Sequence, residues 1–76
     1  DKQSIVVQIT NRDRIRIRGR DIDFRAVRAN IERLHAENPD APVVVQPHPD
    51  STTETMIHVM DSARQAGVYA VSIAAT

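Results

Sequence analysis

The side chains of this sequence that could do chemistry are three histidines, ten acids, nine arginines and a few serines. His35, His48 and His58 fall on separate stretches, and no two stand four apart, the spacing that puts two metal ligands on one helix face. His58 and Asp61, three apart, come nearest to a metal pair and read as two exposed polar residues. His48-Pro49-Asp50 sets an imidazole beside a carboxylate, as an acid–base dyad would, yet the flanking prolines explain the same residues as a turn whose acid caps a following helix. Neither Ser51 nor Ser72 stands in a Gly-x-Ser-x-Gly elbow. Phosphate loops need several glycines, and only Gly19 and Gly67 are present. No catalytic residue, metal site or cofactor is assigned, and an enzyme is not expected. One feature remains: Arg14, Arg16 and Arg18 alternate with Ile15 and Ile17. On a strand, the three guanidiniums line one face at intervals of about 7 Å and can grip carboxylates bidentately. The same pattern also describes a water-facing row.

Charge narrows the partners. Ten basic residues balance ten acids, whereas a nucleic-acid binder rests on a net basic footprint. The balance is uneven along the chain. Residues 12–33 hold eight Arg against four acids, and residues 34–76 hold one Arg against five. Such a charge dipole permits self-association through unlike patches. Cysteine is absent, so no disulfide framework or thiolate metal site holds the fold.

The elements that must position these residues follow from hydrophobic pattern. Seventy-six residues make one domain, 1–76, and a chain this short removes only about 60% of its unfolded surface from water. Eight Ile and nine Val against one Leu favour a sheet core. Residues 5–9 read as a strand, and 14–18 alternate strictly as a second one joined to it through Asn11-Arg12-Asp13 in an antiparallel hairpin that Gly19 ends. Asp23 reads as a helix N-cap, with Phe24, Val27, Ile31 and Leu34 forming the apolar stripe that follows and Pro39 stopping the helix. The proline-fenced run Val43-Val44-Val45 suits a buried strand paired on both sides. Ser51 and Glu54 match a capping box for a second helix, whose stripe is Met56, Val59, Met60, Ala63 and Ala66 and whose end is Gly67. Tyr69 to Ala74 forms the last strand. The expected fold is α/β (α+β): a two-layer sandwich in the order β-β-α-β-α-β, with a mixed sheet of 4–5 strands and both helices on one face. Phe24 and Tyr69 are expected in the core.

The second half carries a specific pattern. Val43-Val-Val-Gln-Pro-His-Pro-Asp50, then Met56-Ile-His-Val-Met-Asp61, Ala66-Gly-Val68 and Val71-Ser-Ile-Ala-Ala-Thr76 occur in an order and at gaps that resemble the periplasmic domain of the ExbD/TolR biopolymer-transport family. The hairpin, Gly19-Arg-Asp-Ile and the Asp23 helix start match the first half. The chain departs from the family pattern after Asp50, where Ser51, Thr52 and Thr53 stand. The resemblance implies a domain of a single-pass bacterial inner-membrane protein whose N-terminal membrane helix is not among these residues. The start at Asp1-Lys2 agrees with a domain of something longer. It further implies a homodimer that works with an ExbB/TolQ-like channel subunit, receives a TonB/TolA-like energy transducer and, in some members, binds peptidoglycan.

Two surfaces suit those roles. The last strand, Tyr69, Ala70, Val71, Ser72, Ile73 and Ala74, carries few charges and is a candidate edge for pairing with another chain, with Tyr69, Val71 and Ile73 inside. A proline at Ser72 is expected to remove a pairing donor. The Arg14, Arg16 and Arg18 face is the candidate contact for peptidoglycan or an acidic partner; the alternative function is a polyanion- or nucleic-acid-binding domain using that same face.

Overall fold

The two longest β-branched runs pair with each other. In the computed structural model, which describes residues 4–74, β1 (Ile5–Ile9) lies parallel to β4 (Val43–Pro47), with Ile5 opposite Val43 and Ile9 opposite Pro47. On the far side of β1, β2 (Ile15–Ile17) runs antiparallel and is followed by β3 (Arg20–Ile22). Beyond β4, β5 (Val71–Ile73) runs parallel to it. The sheet order is β3-β2-β1-β4-β5. The two helices α1 (Val27–Glu37) and α2 (Thr53–Gln65) make the crossovers. The expected two-layer α+β sandwich is present, with one strand more than the expected order.

That extra strand has a local cause. Gly19 does not end the hairpin but turns it: Arg18 and Gly19 both have positive φ, 53° and 79°. Ile17 faces Arg20 directly across this two-residue loop, the geometry of a type I′ turn. The loop between β1 and β2 is tied by Thr10, whose amide donates to the Arg14 carbonyl at 2.8 Å and whose Oγ1 accepts from the Arg12 and Arg14 amides.

Alternation sorts the sheet residues. Ile5, Val7, Ile9, Ile15, Ile17, Val43 and Val45 are buried toward the helices, where Val27, Ile31 and Leu34 of α1 meet them. Asp23 caps the first turn by accepting from the Arg25 amide at 2.8 Å, although that turn, Phe24–Ala26, is 3-10 rather than α. Phe24 lies outside the core. It is 46% exposed and stacks on His58, ring centroids 3.7 Å apart, while His58 Nε2 donates to the Phe24 carbonyl at 2.8 Å.

The second helix is seated differently from its expected stripe. Its cap is Thr52, whose Oγ1 accepts from the Thr55 amide, while the Ser51 hydroxyl donates to the His48 carbonyl instead of forming a box with Glu54. Thr55, Val59, Ser62 and Ala63 are buried, and Met56 and Met60 are only half-buried. Small residues let α2 approach the sheet closely, which rolls both methionines outward. Gly67 closes the helix as expected, at φ 96°, with its amide on the Arg64 carbonyl.

Asp13 joins the hairpin to α2. Its Oδ1 accepts from the Thr52 amide at 2.7 Å and from the Thr52 hydroxyl at 3.3 Å, placing a carboxylate at the positive end of the helix. Its φ of 58° is one that Asp and Asn tolerate best among residues with a Cβ. Asp13→Ala should therefore lower unfolding free energy by about 1–2 kcal/mol in urea titration, with Asp13→Asn closer to wild type.

Candidate functional site

The histidines and serines do not assemble a catalytic site. His35 lies at the end of α1 beside Gly67, with its Nδ1 buried and unpartnered; His58 is held by Phe24. His48 Nδ1 accepts from the Asp50 amide at 3.0 Å, and the Asp50 carboxylate lies 4.0 Å away. The motif is thus a closed turn after β4, and its acid does not cap α2. Among the described residues, no three His, Asp or Glu side chains group as metal ligands.

The arginine row is broken. Arg14, Arg16 and Arg18 are all exposed, but Arg18 occupies the positive-φ turn position and leaves the strand. Arg16 folds across to its neighbours, with its guanidinium 2.9 Å from the Gly19 carbonyl and 3.4 Å from the Asp21 carboxylate. Asp21, Arg16, Gln8 and Gln46 are register partners and form one polar row across the helix-free face of the sheet, closed by a Gln8–Gln46 amide contact.

The β5 edge is built differently. Residues 70 and 74 point their backbone groups at β4: the Val43 amide donates to the Ala70 carbonyl at 2.9 Å, and the Ala74 amide to the Val45 carbonyl at 2.8 Å. By alternation Ser72 also faces β4, and the N–H and C=O groups of Val71 and Ile73 face outward. The outward donors are therefore not at Ser72. Side chains alternate in the other sense, with Val71 and Ile73 on the helix side and Ser72 on the open face. Only Val71 packs on the core; Ile73 is 50% exposed, and Tyr69 precedes the strand and is 81% exposed. Both depart from their expected interior positions because nothing lies beyond β5 to cover them. Ala75 and Thr76, at the end of the family-like segment, lie outside the described residues.

Alongside β5, the flank of α2 leaves a groove open. Ile57 is 57% exposed and, with Met60, Val68, Tyr69 and Val71, lines a groove of about 310 Å³ rimmed by Asp61 and Arg64. Ile57 and the half-buried methionines escape a reading of α2 as a single core stripe. The signal that could have found them is the run Thr55, Ser62, Ala63 and Ala66, small residues that set the buried face elsewhere.

The family model described as Biopolymer transport protein ExbD/TolR matches residues 1–76. The chain belongs to the ExbD/TolR family. It is 38% identical over 71 residues to the biopolymer transport protein exbD2 of Vibrio cholerae serotype O1 (strain ATCC 39315 / El Tor Inaba N16961). The match covers 93% of this chain and 53% of that relative, so the chain spans about half the relative's length. Among the described residues, no helix of this ExbD/TolR chain is long and apolar enough to cross a membrane.

Backbone direction sets an expectation for this ExbD/TolR edge. Ser72→Pro should detach β5 from β4, removing the amide protection of its partner residues in hydrogen exchange, whereas Ile73→Pro, whose N–H faces solvent, should leave β4–β5 pairing intact.

Proposed function

We propose that this chain is a non-enzymatic interaction domain of a proton-driven inner-membrane energy-transducing complex. It stands on the periplasmic side as part of a single-pass membrane protein and acts beside an ExbB/TolQ-like channel subunit. Its β5 edge receives an extended segment of a TonB/TolA-like energy transducer or the same strand of a second copy, giving a homodimer. Family membership supports the complex. The observation that carries the site is the outward backbone of Val71 and Ile73 beside the exposed apolar side chains of Ile57, Tyr69 and Ile73, an edge open to strand addition.

The test is sedimentation equilibrium of the chain, alone and with peptides from the periplasmic region of a TonB- or TolA-like partner, over a salt series. Self-association or peptide uptake with little salt dependence is expected, and Ile73→Pro should lose it while keeping its circular dichroism. Undiminished pairing in a folded Ile73→Pro variant would sink the edge assignment.

The open sheet face, with Arg14 and Arg16 and the turn residue Arg18, is the proposed contact for peptidoglycan or an acidic partner. Polyanion binding as the main role finds less support. Arg16 is already engaged by Asp21, and neither exposed aromatic offers a stacking platform there: Phe24 is stacked on His58, and Tyr69 lines the groove beside α2. Reversing Arg14, Arg16 and Arg18 to Glu should reduce co-sedimentation with isolated sacculi, and unchanged binding would remove this face from the proposal.

A further inference from the structure

Strand addition at β5 leaves open which segment fits, and the groove beside that strand limits the choice. Resting on that reading, we propose that the edge selects a basic, alternating segment: two large aliphatic side chains two residues apart, flanked by Lys or Arg. A strand added to β5 turns alternate side chains toward α2, about 7 Å apart, as Val71 and Ile73 are on β5 itself. Two recesses lie on that side. The first is the groove of about 310 Å³ under Ile57 and Met60 next to Val71. The second, about 450 Å³, lies next to Ile73 and is bounded by Pro47, Thr53 and Met56. The first recess is walled mainly by Ile57, Met60, Val68 and Val71 and leaves a polar side chain short of partners; the second offers Pro47, Pro49 and Met56 to an aliphatic side chain, with His48, Ser51, Thr52 and Thr53 as its polar rim.

Charge fixes the flanks. Asp61 at the first recess is taken by Arg64 and Gln65, both at 3.0 Å. Next in sequence to residues lining the second recess, Asp50 (side chain 79% exposed) stands in the turn between Pro49 and Ser51 and Glu54 follows Thr53 in the first turn of α2, with no arginine or lysine bonded to either among the described residues. Arg64 is the lone Arg or Lys of positions 34–76. The Ile73 end of the edge is therefore negative, which favours a basic flank and repels an acidic one. A second copy offers Val71 and Ile73 as the aliphatic pair but no basic residue between Val68 and Thr76, so it meets half of the requirement.

Three blocked peptides test this with the 76-residue chain: Lys-Thr-Val-Thr-Ile-Thr-Lys, its Glu-flanked counterpart, and the Lys-flanked peptide with both aliphatic residues changed to Ala. Affinity is measured by titration calorimetry, and pairing by amide exchange protection at Val71 and Ile73. The first peptide should bind and protect both amides. Each aliphatic side chain removed should cost about tenfold in Kd, and Glu flanks about threefold at low salt, a difference that high salt removes. Ile57→Ser, at an exposed position that folding does not need, should weaken the first peptide about tenfold, and Asp50→Asn with Glu54→Gln should erase the preference for Lys over Glu. Equal binding of all three peptides, with Val71 and Ile73 protected, would overturn the selectivity while leaving strand addition standing. Absence of protection with every peptide would overturn both.

Discussion

Every other element depends on the parallel pairing of β1 with β4. The two strands carry the largest fully buried side chains of the sheet, Ile5, Val7, Val43 and Val45, on one face in matched register. That apolar face must be covered, and a parallel pair cannot be closed by a tight turn. The chain between them therefore spends its length on a return path, the β2–β3 hairpin and α1. The same rule acts again between β4 and β5, where α2 makes the crossover. Right-handed crossovers bring both helices to one side, leaving the other face uncovered, with a polar row through Arg16 and Gln8 beside the half-buried pair Val6 and Val44. Arg16 of β2 is thus exposed by the topology alone, and a ligand is not needed to explain it.

The candidate site follows from how α2 settles on that frame. Its buried face is Thr55, Val59, Ser62, Ala63 and Ala66, and side chains this small bring the helix close to the sheet. Close seating leaves Met56 and Met60 without room beneath the helix, so they move to its flank with Ile57. That flank lies beside β5, the last strand. A helix seated on its methionines would have covered β5 more fully and left no groove. The recess and the exposed backbone beside it share one place: the flank of α2 next to the last strand, where no further strand or helix covers Ile57, Tyr69 and Ile73.

Periodicity made most of the fold legible. Ile5–Ile9, the alternating Ile15–Ile17, the proline-fenced valines and the stripe Val27, Ile31, Leu34 each have one sensible geometry, and Gly67 sits where a left-handed residue ends a helix. What escaped was held by the backbone rather than by side-chain pattern. Arg20-Asp21-Ile22 shows no alternation, and Arg18-Gly19 lacks the Asn-Gly signature of a type I′ turn, so β3 is invisible without its neighbour. Phe24 and Tyr69 mislead because an aromatic in a small domain is expected inside; one instead stacks on His58 and the other lies beyond the last strand. The direction of the Ser72 amide cannot be read from residue types at all, since it depends on which side of β5 the sheet lies.

The two edges of the sheet are managed in opposite ways. β3 is short and charged, with Arg20 and Asp21 exposed and Arg16 reaching across to Asp21 and the Gly19 carbonyl. Such an edge resists accidental pairing, because an incoming strand must displace charged side chains. β5 is just as short but carries Val71, Ser72 and Ile73, with no charge on the strand. A monomeric domain gains nothing from leaving that edge undefended, and aggregation is the cost. Its brevity supplies partial protection, since the outward groups of Val71 and Ile73 alone cannot hold a chance partner for long. A lasting partner must add side-chain contacts in the groove under Ile57 and Met60 to those few backbone bonds, so the short edge and the groove together make pairing conditional on the right sequence.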